Sequence, residues 1–184
     1  MSALERIQIS AQDITALQVD GIVNAANSAL RGGGGVDGAI HKAAGPELLK
    51  KCLSLQGCPT GSAVITDGYN LPAKYVIHAV GPIWHGGHEG EPDKLRSCYR
   101  TSLELARDQK LNTLAFSAIS CGVYGYPHEL AAQIAIGEII RFLESEANPH
   151  QVTLVCFNAS VRRAYEQALK VWNVASAPEA RENL

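Results

Sequence analysis

Short aliphatic and β-branched runs alternate along this chain with stretches of helical periodicity, and the alternation leaves few architectures open. Strand-like runs fall at residues 6–10, 21–25, 63–66, 75–79, 113–116 and 151–157. Helical patterns span 36–44, 47–55, 93–110, 128–146, and a last stretch from 160 to about 172. Strands and helices in this order predict a three-layer α/β/α sandwich around a central mixed, mostly parallel sheet. In such folds ligands sit beyond the carboxyl ends of the strands, in the loops after them. Leu95, Tyr99, Leu103 and Ala106 mark the apolar face of the third helix. Leu130, Ile134, Ile139, Phe142 and Leu143 mark that of the fourth. Gly45-Pro46 separates the first two helices, and Ser160 is a plausible cap for the last.

The chain has 184 residues, enough for one domain, expected over 1–172, with 173–184 as a flexible C-terminal tail. Its 46% hydrophobic and 18% charged residues supply a packed core and argue against disorder. A net charge of -2 gives no overall footprint for nucleic acid or an anionic membrane. No apolar run approaches spanning length, and residues 1–7, with Glu5 and Arg6, lack the apolar core of a signal peptide. Cys52, Cys58, Cys98, Cys121 and Cys156 are odd in number and form no CxxC pair. Neither a disulfide framework nor a zinc site is signalled, and reduced thiols in a cytoplasmic, monomeric protein are the expectation.

Two loops carry the chemistry. The first runs from Asn24 to Gly38 and contains four consecutive glycines, Gly32 to Gly35, that open directly into a helix. Bare backbone there exposes several N–H donors together, and the helix start adds a favourable dipole for an anion. A flexible surface turn is the plainer reading of such a run. Gly33, Gly35 and Gly38 meet the G-x-G-x-x-G spacing, yet residues 27–32 intervene after the strand, and no Gly-Lys-Ser/Thr is present. The second loop, 117–127, is again small and glycine-rich, with Tyr124 and Tyr126 placed either to wall a site or to pack on the core. The loop at 81–92 is rich in glycine and proline; its His85 and His88 lack further ligands for a metal.

The segments 24–27, 32–45, 57–61 and 118–127, in this order and spacing, resemble the successive motifs of MacroD-type macrodomains. The resemblance covers roughly residues 7–170. It implies a protein that binds ADP-ribose and hydrolyses its esters, without cofactor or metal, either O-acetyl-ADP-ribose or ADP-ribosylated protein. Asp13 and Ile14 match the family's adenine-binding pair, and Phe157 its adenine-stacking aromatic. Gly33, Gly34, Gly35 and Val36 match the loop around the diphosphate and distal ribose. Ser120, Cys121, Gly122, Val123 and Tyr124 match the second diphosphate loop. Asn27 and Asp37 match the polar residues at the distal ribose, where the scissile bond lies. Departures are Gln12 in place of a usual glycine, Cys121 in place of a threonine, and Asn158 in place of a common aspartate.

The chemistry this resemblance implies is water attack on an ester. Asp37 is suited to orient or deprotonate the water, and Asn27 to hold the sugar. On the residues alone, Asp37 also reads as a helix-start carboxylate. A non-catalytic reader of ADP-ribose would use nearly the same residues. Cys121 with His41 or His78 suggests a thiol hydrolase as a minor alternative, while His41 also reads as a structural helix histidine and Cys121 as a small filler.

Overall fold

The computed structural model describes residues 1–176. Six strands, β1 (Ile7–Ser10), β2 (Gly21–Ala25), β3 (Ala63–Asp67), β4 (Tyr75–Ala79), β5 (Thr113–Phe116) and β6 (Gln151–Val155), form one sheet in the order β1-β6-β5-β2-β4-β3. All neighbours are parallel except β3, which runs antiparallel along the β4 edge. The helices are α1 (Gly35–Ala44), α2 (Pro46–Ser54), α3 (Glu91–Asp108), α4 (His128–Ser145) and α5 (Ala159–Ala175).

Alternation along the strands divides the core in two. Ile22 and Val76 pack beneath α1 and α2, together with Ile40, Leu48 and Cys52. Their neighbours Val23 and Ile77 face α3, α4 and α5, against Tyr99, Ile139 and Tyr165. Strands buried on both faces read as continuous apolar runs, which is why Gly21–Ala25 is recognisable despite its shortness. The result is the three-layer sandwich expected, and the four apolar positions of α3 are all buried.

Several boundaries shift for identifiable reasons. The β6 strand ends at Val155, two residues before the expected Phe157. Asn158, in extended conformation, accepts from the Val161 amide at 2.9 Å and so caps α5 in place of Ser160. That helix continues to Ala175, past the expected start of the tail; residues 177–184 lie outside the described residues. Leu130 is exposed, and its neighbours Ala131 and Ala132 take the buried positions at the start of α4.

Arg6 lies in a short 3-10 turn before β1 and is buried. Its guanidinium donates to the carbonyls of Leu143 at 2.7 Å, Pro149 at 2.6 Å, Ala147 at 3.0 Å and His150 at 3.1 Å. One cation thus satisfies the chain reversal between α4 and β6. Arg6→Met keeps the stem and removes every donor. It is expected to cost about 2–4 kcal/mol, a fall in Tm of roughly 5–15 °C. An unchanged melting curve would show that the clamp contributes nothing.

Candidate functional site

Five parallel strands place their carboxyl ends along one edge of the sheet. Asp13 comes after β1, Phe157 after β6, the 117–127 loop after β5, the glycine loop after β2, and residues 80–90 after β4. Three strand steps separate β1 from β2, about 14 Å at normal strand spacing. At the adjacent β2 and β5 ends the two loops lead into helices on opposite faces, α1 and α4. Strands that part in this way open a crevice between their loops.

The first loop is closed by Asn27. Its Nδ2 donates to the Gly32 carbonyl at 2.8 Å, and its Oδ1 accepts from the Arg31 amide at 3.3 Å. The loop then lies directly on α1, where a Cβ on Gly38 would stand 2.3 Å from the Gly33 carbonyl oxygen. Only glycine at 38 permits that approach. Among the described residues, none accepts from the amides of Gly33, Gly34, Gly35 or Val36, so four free donors lie at the start of α1.

Asp37 sits in the first turn of α1 and is 6% exposed. Its Oδ1 accepts from Asn24 Nδ2 at 2.8 Å and lies 3.5 Å from His41 Nε2. Its Oδ2 faces the loop. The point a Gly33 Cβ would occupy is 3.6 Å from Asp37 Oδ2 and 3.8 Å from Asn27 Nδ2. The carboxylate and the carboxamide therefore address one small region from two sides.

The second loop turns through Ser120, whose φ of 65° lies in the left-handed region. Tyr126 N bonds back to Ser120 O at 3.0 Å, and Gly125 N to Gly122 O at 3.0 Å. Among the described residues, the amides of Gly122, Val123 and Tyr124 have no acceptor, and Val123 is fully exposed. The Cys121 amide is engaged by Ala118 O at 3.2 Å, and its side chain is buried. Burial pushes the Cys121 thiol up to about 12. Tyr126 is a core residue packed against Trp84, their rings tilted at 53° with centroids 4.6 Å apart, so of the two tyrosines only Tyr124 remains at the site.

At the other end, Asp13 is exposed. Its Oδ1 accepts from the Thr15 amide at 3.0 Å and hydroxyl at 2.8 Å, which leaves Oδ2 open to a ligand. Ile14 is buried beside it, Gln12 is exposed to solvent, and Phe157 presents an exposed ring. His128 braces this end, with Nδ1 2.8 Å from Ser160 Oγ, Nε2 3.1 Å from Cys121 O and its ring 6.1 Å from Phe157. Ser160 is thus a partner of His128. Nothing in the spacing of these residues signals that brace.

Among the described residues, His41, Cys52 and His78 bring three donor atoms within 4.8 Å of one another. His78 Nε2 is already 3.0 Å from the Thr66 hydroxyl. Burial, helped by His41, lowers the His78 pKa to about 4, and burial together with Asp37 raises Cys52 to about 11. His78 and Cys52 are therefore both neutral at physiological pH, and they belong to an internal polar network.

The Macro domain family model matches residues 23–135. A macro domain-containing protein of Methanosarcina mazei is 57% identical over 166 residues, 90% of this chain and 89% of its own. A protein of Enterobacter cloacae subsp. cloacae named O-acetyl-ADP-ribose deacetylase is 53% identical over 168 residues, 89% of this chain and 93% of its own. Among solved structures, the Trypanosoma brucei macrodomain in complex with ADP-ribose superposes with a TM-score of 0.85 at 44% identity, covering 91% of this chain and 71% of that one.

The segment after β4, which no sequence motif marks as part of the site, braces the second loop. A Cβ on Gly81 would stand 2.2 Å from Ser120 Oγ, and Trp84 N donates to Tyr124 O at 2.9 Å. Glu91 organises the rest of this segment, accepting from the amides of His85 at 3.0 Å, Gly87 at 2.7 Å and Glu89 at 2.6 Å. Burial raises this carboxyl, but the backbone amides outweigh it and hold the pKa at about 2, below an ordinary 4.5. A depressed folded-state value contributes stability above pH 4.5 that is lost as pH falls toward 2. Glu91→Gln should therefore melt below the parent at neutral pH, with the difference narrowing on acidification through that window. A Tm difference constant from pH 7 to about 3 would contradict the assignment.

Proposed function

The chain belongs to the macrodomain family, and on that premise we propose that it binds ADP-ribose along the sheet edge and hydrolyses ester-linked ADP-ribose. Adenine lies between Asp13 and Phe157, its amino group donating to Asp13 Oδ2 with the Ile14 amide assisting. The diphosphate spans the crevice between β5 and β2, meeting the unpartnered amides of Gly33, Gly34, Gly35 and Val36 on one side and of Gly122, Val123 and Tyr124 on the other. Ser120 and Cys121 shape that second cradle. The distal ribose comes to Asn27 and Asp37. The three strand steps from β1 to β2 accommodate such an extended ligand.

The observation that carries the hydrolytic reading is the placement of Asp37. One oxygen is held by Asn24 at 2.8 Å while the other faces the place where Asn27 and Gly33 meet. Water at that place adds to the ester carbonyl carbon as Asp37 Oδ2 takes its proton. The acyl carbon–oxygen bond breaks, the proton passes to the departing ribose oxygen, and ADP-ribose and a carboxylic acid are released. Both O-acetyl-ADP-ribose and ADP-ribosylated acidic side chains present such an ester. The Cys121 thiol, raised to about 12, is protonated at neutral pH, which favours water over a thiolate as nucleophile. All five cysteines are unpaired, in keeping with a reducing compartment such as the cytoplasm.

The contrast between two variants tests the reading. Asp37→Ala should lower turnover of O-acetyl-ADP-ribose by about two to four orders of magnitude, with ADP-ribose affinity by calorimetry nearly unchanged. Asp13→Ala should do the reverse, weakening affinity by about 1–3 kcal/mol while bound substrate turns over normally. Binding without turnover in the unmutated protein, on either ester, would make it a reader of ADP-ribose. No binding at all would sink both readings.

A further inference from the structure

We propose that Asn24 is a positioning residue for Asp37, and that the buried pair His78 and Thr66 locks the carboxamide in the orientation that presents Nδ2 to the carboxylate. The inference rests on the hydrolytic reading of Asp37, but the structural part stands on donor and acceptor logic alone. Asn24 is fully buried on β2, on the sheet face beneath α1 and α2. Its Nδ2 lies 2.8 Å from Asp37 Oδ1 and 3.3 Å from His78 Nδ1. An amide nitrogen carries two hydrogens and no lone pair to offer, so both neighbours must accept.

That requirement propagates. With His78 Nδ1 as acceptor and the ring neutral, the proton resides on Nε2, 3.0 Å from Thr66 Oγ1. The Thr66 hydroxyl in turn reaches the Asp67 carbonyl at 3.1 Å. The donors then follow in order: Asn24 donates to Asp37 and to His78, His78 Nε2 to Thr66 at 3.0 Å with Cys52 Sγ as a longer neighbour at 3.8 Å, and Thr66 to the Asp67 carbonyl. The opposite order would place a proton on His78 Nδ1 and turn Asn24 Oδ1 against the Asp37 carboxylate, acceptor to acceptor. Burial keeps His78 neutral, with a pKa of about 4, so the direction persists at physiological pH.

The consequence falls on Asp37. A carboxylate on a helix can rotate and exchange its oxygens. Here Oδ1 is committed to Asn24, with His41 Nε2 beside it at 3.5 Å, while Oδ2 is left facing Gly33 and Asn27. The groups around Asp37 are His41 on its own helix, Cys52 from α2, Asn24 from β2 and His78 from β4. Among the described residues, only the Asn24 side chain donates to it within ordinary hydrogen-bond distance. A buried amide with a dictated orientation is thus the element that selects which oxygen meets the water.

The test uses the full chain, Thr66→Val, Thr66→Ser and imidazole 15N NMR of His78. In the unmutated protein, His78 should show the Nε2–H tautomer at pH 7. Thr66→Val removes the nearer acceptor that holds this tautomer and leaves only the weak Cys52 sulfur at 3.8 Å. It should lower kcat for O-acetyl-ADP-ribose by about ten- to a hundredfold, leave KM and ADP-ribose affinity within about twofold, and disturb the His78 nitrogen shifts. Thr66→Ser restores the hydroxyl and should restore both kcat and the tautomer. An Nδ1–H tautomer in the unmutated protein overturns the proposal, and so does a folded Thr66→Val protein with full kcat. Loss of affinity in step with kcat also overturns it, since general loosening of the site would do that. Absence of turnover in the unmutated protein overturns the hydrolase reading instead, and the tautomer measurement does not depend on it.

Discussion

The pairing of β2 between β5 and β4 is the constraint on which the site depends. Val23 stands opposite Phe116 on one side and Ile77 on the other, and Asn24 opposite His78. Side chains alternate between faces with a period of two. A slip of one residue would therefore carry Asn24 into the apolar layer beside Tyr99 and Phe116, and bring Val23 under Asp37. The register extends past the strand end, where Ala26 N reaches Ala79 O at 2.9 Å and Ser117 Oγ reaches Val23 O at 2.7 Å. These contacts fix where both ligand loops leave the sheet.

From those points the loops are shaped by close backbone approach. Gly38 lets the glycine loop rest on α1, and Gly81 lets the chain after β4 pass close against Ser120. Each approach aims a set of amides outward without partners. A chain with a net charge of -2 would not attract an anion by its overall field. Free amides and the start of α1 supply a local positive field instead, effective over the length of the crevice only. On the proposed reading, the arrangement would let an acidic protein hold a diphosphate with no lysine or arginine directed at it by sequence motif. Selectivity would then come from spacing, because the proposed adenine contacts and the proposed scissile-bond contacts hang on strands set a fixed distance apart.

Much of this architecture is legible in the residues themselves. Runs such as 21–25 and 75–79 carry their strand character in β-branched and aliphatic residues, and their bounds agree with the observed ones. The glycine run and the bracketing Asn27 and Asp37 point to a cradle, and the family resemblance singles out Asp13 and Phe157. The misreadings share a cause. Phe157 looks like strand because aromatic residues suit strands, whereas the extended Asn158 beside it caps α5 and leaves the ring outside the sheet. Ser160 and Asn158 are both capping residues, and composition cannot rank two candidates two positions apart. Tyr126 and Leu130 are assigned only once the position of Trp84 and the rotation of α4 about its axis are known. Glu91 is a polar residue with no local pattern, and Asn24, although part of the 24–27 segment, carries no sign of its role; their partners, the 85–89 amides and Asp37, become neighbours only through the fold.

Energetically the two sheet faces divide the work. The side covered by α3, α4 and α5 is apolar and densely populated, with Tyr99, Phe116, Leu103 and Ile139 among its fully buried members. The side covered by α1 and α2 is smaller and carries Asn24, His78, Thr66 and Asp37 among Ile22, Ile40 and Leu48. Burying polar groups costs free energy unless each finds a partner, and a satisfied network stiffens its surroundings. Here the satisfied bonds converge on the site, while among the described residues Asn24 Oδ1 and His41 Nδ1 on this face have no partner. The polar face thereby gains what an apolar core could not supply, a carboxylate whose rotation is set from below by groups no ligand touches.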